Sequence, residues 1–391
     1  MHEIPKGWEV KKLGDIAITS SGGTPLRTHS EYWNGNIKWL KISDLNDSLI
    51  DNSDEFITEI GLKNSSAKIL KKGTLLVAMY GSIGKLGILN TEATTNQAIC
   101  AIINKKDKKF EIKFLFYFFM SAKEKMLNES FGGVQKNISQ TYLKNLEIPL
   151  PNLTEQKAIA DKLDDSFAKI ENAITNLINA KENLKLYKQS VLKSAFNGDL
   201  LPNTSPTHWE VKKLGEICEK ISAGGDKPAE FSTIKTNDFK IPIYSNGIKD
   251  NGLYGYTKYA TINKQAVTVS ARGTIGFVCV RNEPFCPIVR LISAIPKDNI
   301  LDLKFLAYAL KFKIPSGEGS SIPQLTVPNF KQLEISLPPL SEQNLIVAEI
   351  DRRFAIVDKT LNLIDKSIQN AKNLKQSILK KAFSGELRSE I

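Results

Sequence analysis

The sequence predicts an α+β protein built from two tandem copies of one unit, each a domain of mixed α/β structure followed by a long helix. Three observations predict this architecture. The heptapeptide WEVKKLG occurs at residues 8–14 and again at 209–215. A longer block at 146–200 is matched at 333–387, and an apolar helical periodicity runs through both blocks. A repeat of this length indicates a duplicated domain rather than a solenoid period.

The spacing of the matched blocks gives the expected boundaries. The offset between copies is 201 residues at the heptapeptide and 187 at the longer block, so the stretch between them is fourteen residues shorter in the second copy. We therefore expect a first domain at 1–150, a central helix at 151–201, a second domain at 202–337 and a C-terminal helix at 338–391. Each variable domain is long enough to bury its own core.

Both variable domains begin with the same elements. A strand is expected at Trp8–Leu13 and at Trp209–Leu214, followed by a glycine turn at 22–25 and 224–228. Each domain later has an apolar run interrupted by Gly-x-x-Gly, at 74–89 and 266–280, which predicts two strands joined by a short glycine loop. Such a loop could bring backbone N–H groups close to a phosphate, although it is more often only a turn.

The variable domains end on an apolar helix and a polar loop. The helices are expected at Phe110–Leu127 and Leu303–Phe312. The loops, GGVQKNIS at 132–139 and GEGSSIPQLT at 317–326, are rich in glycine and amide or hydroxyl side chains. Between these shared points the two copies diverge, as expected of two domains that share a framework and recognise different targets.

The matched blocks predict two helices of about 40 residues, roughly 60 Å long. Prolines precede each helix, Thr154 or Ser341 is expected to cap it, and Asn197–Gly198 or Ser384–Gly385 is expected to end it. The apolar residues recur at steps of three and four, which is typical of a coiled coil. They are Ile159, Leu163, Phe167, Ile170, Ile174, Leu177, Leu184, Tyr187 and Val191 in the first helix and Ile346, Ile350, Phe354, Val357, Leu361, Ile364, Ile368, Ala371, Leu374 and Ile378 in the second.

Each helix needs a partner for its apolar stripe, and the other copy in the same chain is the simplest partner. We expect an antiparallel coiled coil that relates the copies by a pseudo-two-fold axis and separates the two domains by a fixed distance. Two amphipathic helices that each lie on their own domain remain the alternative, although helices of this length would extend beyond a domain of that size.

The net charge of +11 lies mainly in the variable domains. Residues 1–150 hold 20 basic and 16 acidic side chains (+4), and residues 202–337 hold 17 and 12 (+5). The helices contribute 0 at 151–201 and +2 at 338–391. This distribution favours a polyanion, with duplex DNA as the leading candidate, at the domains and a protein partner at the helices.

Other classes of protein are disfavoured. The four cysteines and three histidines lack metal-ligand spacing, so free buried thiols in a cytoplasmic protein are expected. The most apolar window, 110–120, is too short to cross a bilayer. The sequence contains neither the [DN]-P-P-[YFW] tetrapeptide of adenine methyltransferases nor a G-x-x-x-x-G-K-[ST] nucleotide loop, and no nuclease or triad motif was found. A non-catalytic recognition protein is therefore favoured.

At this point the chain resembles the specificity subunit of Type I restriction-modification enzymes over essentially its whole length. The resemblance is carried by Pro-Leu-Pro-x-Leu-x-Glu-Gln at 149–156 with its copy at 336–343, by SVLKSAFNGDL at 190–200 and SILKKAFSGEL at 377–387, and by the [RY]-G-[ST]-I-G loops at 80–84 and 272–276. It implies two target-recognition domains that each bind one half of a bipartite, asymmetric DNA site.

The resemblance also implies partners. Two modification subunits, which are adenine methyltransferases that use S-adenosylmethionine, would bind the helices, and restriction subunits that use ATP and Mg²⁺ would join through them. No cofactor is expected in this chain. Two alternatives stay open: a coiled-coil adaptor that binds only proteins, and a nuclease with an unrecognised site.

The candidate DNA contacts lie in the glycine turns, the divergent loops and the polar loops, with the lysines and Arg272 expected at phosphates and Gln135, Asn137 and Gln324 at base edges. Tyr80 occupies the position of Arg272, so a phosphate role for that arginine does not extend to the first domain. The candidates in the first domain are Thr24, Lys38, Trp39, Ser82, Lys85, Gln135, Lys136 and Asn137. Those in the second are Lys227, Ser245, Asn246, Lys249, Arg272, Thr274, Ser321 and Gln324.

Overall fold

The chain folds into two compact units. The computed structural model describes residues 5–105, 110–131, 136–202, 206–314, 317–318 and 325–387. One unit comprises Met1–Leu177 together with Lys366–Ile391, and the other comprises Ile178–Asp365. The division therefore crosses both long helices. Within the described residues, no helix is both long and apolar enough to span a membrane.

The first unit contains two sheets and a short strand pair. Its strands are β1 (Glu9–Lys12), β2 (Ala17–Ser21), β3 (Trp33–Leu40), β4 (Ser48–Ile50), β5 (Glu55–Ile57), β6 (Leu75–Ala78), β7 (Leu86–Leu89), β8 (Thr94–Thr95), β9 (Ile99–Asn104) and β10 (Glu147–Leu150). Its helices are α1 (Leu13–Ile16), α2 (Glu59–Lys63), α3 (Ile112–Asn128), α4 (Gln140–Asn145) and the beginning of α5 (Leu153–Asn197).

The sheet order explains where the core lies. The larger sheet runs β2-β9-β6-β7-β4, the smaller runs β5-β3-β8, and β1 pairs with β10. Strand β6 is central and all four of its residues are buried. Helix α3 buries Phe114 and Phe119 in the same hydrophobic core as Leu75 and Val77 of β6. The continuous apolar run of the sequence is thus a strand covered on both faces.

The second unit repeats this plan with a larger sheet of four strands instead of five and with one additional strand pair. Its strands are β11 (Glu210–Lys213), β12 (Cys218–Ala223), β13 (Ile241–Tyr244), β14 (Leu253–Thr257), β15 (Ala266–Val269), β16 (Thr274–Ile275), β17 (Val278–Arg281), β18 (Cys286–Pro287), β19 (Ile292–Pro296), β20 (Gly317–Glu318) and β21 (Glu334–Leu337). Its helices are α6 (Leu214–Ile217), α7 (Leu303–Lys313), α8 (Val327–Lys331) and much of α9 (Leu340–Ser384). The sheets run β12-β19-β15-β17, β14-β13-β18, β11-β21 and β16-β20.

The predicted glycine loops are confirmed as turns between antiparallel strands, β6–β7 in one unit and β15–β17 in the other. Gly81 and Gly84 have φ of 63° and 70°, and Gly273 and Gly276 have φ of 68° and 80°. These left-handed values explain why glycine occupies both ends of each loop.

The long helices α5 and α9 each span 45 residues. They end where predicted, because each is followed directly by a glycine in the left-handed conformation, Gly198 with φ of 83° and Gly385 with φ of 80°. The predicted caps are wrong, because each helix begins before Thr154 or Ser341. In α5 the side chain of Asn152 accepts the Glu155 N–H at 3.0 Å instead.

The helices pair antiparallel, as expected. In the second unit Lys181 binds Asp365 at 2.6 Å and Lys188 binds Asp358 at 2.5 Å. A step of seven residues forward along α5 therefore corresponds to a step of seven residues backward along α9. In the first unit Lys375 binds Glu171 in the same register, at 2.6 Å. These exposed ion pairs indicate the register and contribute little stability.

The residues of the two expected apolar stripes are buried or half-buried, with two exceptions. Ile159, Leu163 and Ile350 are buried, whereas Tyr187 and Leu374 are 42% and 51% exposed. The prediction for these two is wrong. They occupy the same position in the two copies, and a pair of helices buries only a narrow stripe on each.

The last turns of each long helix complete a domain core. In the first unit Leu379, Ala382 and Leu387 of the C-terminal segment belong to the same core as Trp8 and Phe114. In the second unit Leu192, Ala195, Phe196 and Leu200, at the end of α5, belong to the core that contains Trp209 and Phe305. Each domain therefore packs against the start of the helix that follows it and against the end of the other repeat's helix.

The repeated Glu-Gln pair fixes each domain to the helix that follows it. The indole Nε1 of Trp8 donates to Glu155 at 2.9 Å, and that of Trp209 donates to Glu342 at 3.0 Å. The next residue of each pair, a glutamine, is almost fully buried. These contacts account for the identical residues in the two copies of the helix signature.

The buried glutamines connect three segments. Gln156 accepts the N–H of Glu111, which precedes α3, and donates to the Pro151 carbonyl. Gln343 makes the equivalent contacts to Asp302 and Pro338 at 2.8 and 2.9 Å. Since an unpaired buried amide is unfavourable, these bonds fix the helix start against the domain.

The helix ends provide a test of this packing. Phe383 lies 5.2 Å from Phe114 and 5.7 Å from Phe118, between ring centroids. Phe383 is half-buried against this core, so we expect Phe383→Ala to destabilise the first domain by about 3 kcal/mol, the lower end of the range for core phenylalanines. The substitution should accelerate amide hydrogen exchange more in α3, which packs against Phe383, than in α7 of the second domain. Leu374→Ala, on the exposed face of the same helix, is the control, and equal loss of protection in α3 and α7 would contradict the assignment.

A half-chain of residues 1–201 should form a dimer. It lacks the segment that completes its own core, yet its α5 end carries Val191, Leu192, Ala195 and Phe196, which match Ile378, Leu379, Ala382 and Phe383 of α9. Two copies can therefore complete each other. Sedimentation equilibrium should give twice the monomer mass, and a folded monomer would show that the exchanged helix end is dispensable.

Candidate nucleic-acid interface

The glycine loop of the first domain contacts the segment that follows α3. The Gly81 N–H donates to the Lys136 carbonyl at 3.2 Å, and Tyr80 forms an isolated bridge with Asn137. Ser82 and Lys136 are exposed at this place. The structure thus brings the loop that holds Ser82 next to two other candidates, Lys136 and Asn137, which lie 54 and 55 residues further along the chain.

Several backbone donors of the glycine loops are used within the turn itself. Gly84 N–H donates to Ala78 at 3.0 Å and Lys85 N–H donates to Ser82 at 3.1 Å. In the second domain Gly276 N–H donates to Ser270 at 3.0 Å. The loops are therefore turns that present side chains, and these amides do not form a phosphate cradle.

Three further candidates of the first domain form hydrogen bonds with other residues of that domain. Thr24 is exposed and its hydroxyl donates to the side chain of Gln97 at 2.5 Å. Lys38 is half-buried and donates to the Thr91 hydroxyl at 3.1 Å. Lys85 is also half-buried, with Nζ 3.5 Å from the carbonyl of Ile42.

The structure moves Trp39 from the surface to the core. Its side chain is 3% exposed, its Nε1 donates to the Gly23 carbonyl at 2.8 Å, and its ring packs edge-on against Trp33 at 5.0 Å. The sequence placed it in a variable loop, but it lies near the end of β3, the central strand of the smaller sheet. In this structure the side chain of Trp39 therefore has a packing role.

Candidates in the second domain differ in how far they are engaged. Lys249 and Arg272 are exposed, and Lys227 is exposed with Nζ 4.3 Å from the centroid of Phe231. Ser245 is half-buried, and its backbone N–H donates to the Gly252 carbonyl at 2.8 Å. Thr274 lies in β16, and its buried Oγ1 has no hydrogen-bond partner among the described residues.

Asn246 is engaged by the protein at both ends of its amide. Its Oδ1 accepts the Ala271 N–H at 2.8 Å, and its Nδ2 donates to the Val289 carbonyl at 2.6 Å. This candidate DNA contact therefore joins two loops of its own domain through its side chain. Gln135, Ser321 and Gln324 lie outside the described residues.

Sequence reasoning did not select two exposed residues, Gln97 and Arg290. Leu40 and Tyr244 end the corresponding strands β3 and β13 of the two domains. The carbonyl of Leu40 accepts the N–H of Asn96, and that of Tyr244 accepts the N–H of Ile288, both at 2.9 Å. Asn96 and Ile288 are therefore equivalent positions. Gln97 then corresponds to Val289, and Ala98 to Arg290. The surrounding sequences are too different for this correspondence to be found without the strand pairing.

The cysteines are free, as predicted, with Cys100, Cys218 and Cys286 buried and Cys279 half-buried. Burial raises the pKa of Cys100 and of Cys218 to about 12, so both remain protonated and unreactive. In the described part of the chain, no three His, Cys, Asp or Glu side chains gather as a metal site requires.

Comparison with known proteins identifies the family. A family model described as the Type I restriction modification DNA specificity domain matches residues 5–180 and again residues 206–371. The chain is 29% identical over 421 residues to the MjaIX specificity subunit of a Type I restriction enzyme from Methanocaldococcus jannaschii, covering 99% of this chain and 95% of the relative. It is 32% identical over 289 residues to a putative type I specificity subunit of Mycoplasma pneumoniae, covering 73% and 76%.

Solved structures share the fold. The HsdS subunit from Thermoanaerobacter tengcongensis gives a TM-score of 0.62 at 22% identity over 98% of both chains. A chain from a study of complex assembly and conformational transition of the type I R-M system gives 0.81 at 21% identity, covering 98% of this chain and 99% of that one. With two matched family domains, each followed by a long helix, the chain belongs to the family of Type I restriction-modification specificity subunits, which are non-catalytic.

Proposed function

We propose that the chain is the double-stranded DNA-binding subunit of a Type I restriction-modification complex, with each domain recognising one half of a bipartite, asymmetric site. The observation that carries this proposal is the pattern of exchange between repeats. The first domain has Tyr80 and Ala98 at the positions where the second has Arg272 and Arg290. The hydrogen bonds that join domain to helix, Trp8–Glu155 and Trp209–Glu342, are the same in both repeats. A constant framework with exchanged surface residues is what two domains of different specificity require.

The charge distribution supports the same proposal. Most of the excess positive charge belongs to the domains, where lysines would neutralise phosphates. The helices would bind two modification subunits and, through them, the restriction subunits, and helix length would set the spacer between half-sites. S-adenosylmethionine, ATP and Mg²⁺ would act in those partners, and none of them in this chain.

Two other functions make different predictions. A coiled-coil adaptor would bind proteins only, so salt-sensitive binding of duplex DNA by the purified chain would exclude it. A nuclease with an unrecognised site would degrade that DNA when Mg²⁺ is added, whereas a recognition subunit would leave it intact.

Exchange of one domain should change one half-site. We expect that replacing residues 1–145 by the matching segment of a relative alters one half of the methylated site and leaves the other half unchanged, because the two domains share only the helix framework. Genome-wide mapping of methylated adenines in cells that carry each version would measure this. A change in both halves would contradict the assignment of one half-site to each domain.

Lys136 should act through phosphate. Its exposed side chain lies beside the glycine loop, while its carbonyl accepts the Gly81 N–H, so Lys136→Ala removes the charge and leaves that hydrogen bond. Binding should weaken similarly on all duplexes, and the dependence of log K on log salt should fall by about one. Lys169→Ala, an exposed lysine of α5, is the matched control. A loss confined to one sequence would instead assign Lys136 to base recognition.

A further inference from the structure

Two exposed arginines of the second domain line one cavity. Arg272 follows β15 in the glycine loop and Arg290 follows β18, and both contribute to a cavity of about 280 Å³ with Ala223, Leu325 and Thr326. Both side chains are exposed. Neither guanidinium forms an ion pair with a carboxylate among the residues that the structure describes.

The other arginines of the two domains are engaged within the protein. Arg281 is 6% exposed, lies 3.6 Å from the Tyr244 ring centroid and donates to the Thr268 hydroxyl at 2.9 Å. In the first domain Arg27 is the one arginine of the sequence, and it binds Glu55 at 2.5 Å while lying 3.7 Å from the Trp33 ring centroid. Arg272 and Arg290 therefore differ from these in having guanidinium groups available for a ligand.

The backbone under Arg290 is held in an unfavourable conformation. Val289 and Arg290 have φ of 52° and 63°, in the left-handed region that bulky and β-branched residues rarely adopt. Their N–H groups donate to the carbonyls of Gly225 and Gly224 at 2.8 and 3.0 Å. Strain of this kind persists where surrounding contacts enforce it, and it concentrates at functional sites.

The amide of Asn246 connects the two loops. It accepts the N–H of Ala271, the residue before Arg272, and donates to the carbonyl of Val289, the residue before Arg290. One side chain thus fixes the separation of the backbones that carry both arginines. Asn246 is a positioning residue in this arrangement.

We propose that Arg272 and Arg290, positioned by Asn246, recognise guanine in the half-site bound by the second domain. The planar guanidinium fork matches the O6 and N7 acceptors of guanine in the major groove, and this pairing is the commonest specific contact of arginine with a base. The first domain holds Tyr80 and Ala98 at these positions, so its half-site lacks this readout. The inference rests on the proposed function and adds base identity to one half of the site.

The test is selection of duplexes from a random library by the purified full-length chain. The wild-type protein should enrich a bipartite site with guanine in one half. Arg272→Lys and Arg290→Lys keep the charge and remove the bidentate fork, so each should reduce preference for one guanine roughly 10-fold while leaving the other half-site and the salt dependence unchanged.

Two further variants complete the design. Asn246→Asp keeps the shape and the acceptor but removes the donor to Val289, and it should weaken guanine preference at the positions that the arginines affect. Arg352→Ala, an exposed arginine of α9 that pairs with Glu349, is the matched control and should leave the selected site unchanged.

The outcomes separate the two proposals. Enrichment of no sequence by the wild-type chain would overturn the proposed function itself. A selected bipartite site that keeps its guanines in both lysine variants would overturn only the present inference. Uniform weakening on all sequences by Arg272→Ala and Arg290→Ala, with a smaller salt slope, would assign the pair to phosphate and overturn it as well.

Discussion

The constraint on which the rest of the structure depends is that each domain core is completed by the end of the other repeat's helix. In the first unit that end supplies Leu379 and Ala382, and in the second unit the end of α5 supplies Ala195 and Phe196. Removing one buried phenylalanine costs about 3–5 kcal/mol, against a total domain stability of about 5–15 kcal/mol. The helix ends are therefore part of the domains in an energetic sense.

This arrangement explains the distribution of sequence identity between the repeats. The most similar positions are those that join a domain to a helix, such as the tryptophan–glutamate pair and the buried glutamines. Tyr117 and Tyr308 also bind Asp164 and Asp351 at the start of the helices, and burial together with these carboxylates raises the pKa of both hydroxyls. Buried polar groups without partners are costly, so these contacts tolerate little change.

The loops are free of that constraint. Each glycine loop is held by backbone hydrogen bonds, such as those from Gly84 to Ala78 and from Gly276 to Ser270, so its exposed side chains can vary without cost to the core. Tyr80 and Arg272 differ in this loop, and Ala98 and Arg290 differ in the loop that follows β8 or β18. Loop residues that differ between the repeats, on a framework that both repeats share, suit a protein whose two halves are proposed to recognise different DNA sequences.

The repeat, the two long helices, their glycine ends and the strand–glycine–strand hairpins follow from the sequence alone, because they depend on local periodicity and on glycine conformations. The resemblance to the family also follows from short identical motifs. Local pattern failed where burial is decided by distant segments. Trp39 is buried because Gly23 accepts its indole N–H, and Asn246 is engaged because two loops from elsewhere in the domain approach it.

Arg290 was missed for the same physical reason. Its position beside Arg272 depends on strand pairing and on a left-handed backbone that residues of its type rarely adopt, and neither is encoded in nearby sequence. The sequence by itself therefore determined what is repeated and which family the chain resembles. Only the tertiary structure decided which polar side chains remain exposed, because that depends on contacts between residues far apart in the chain.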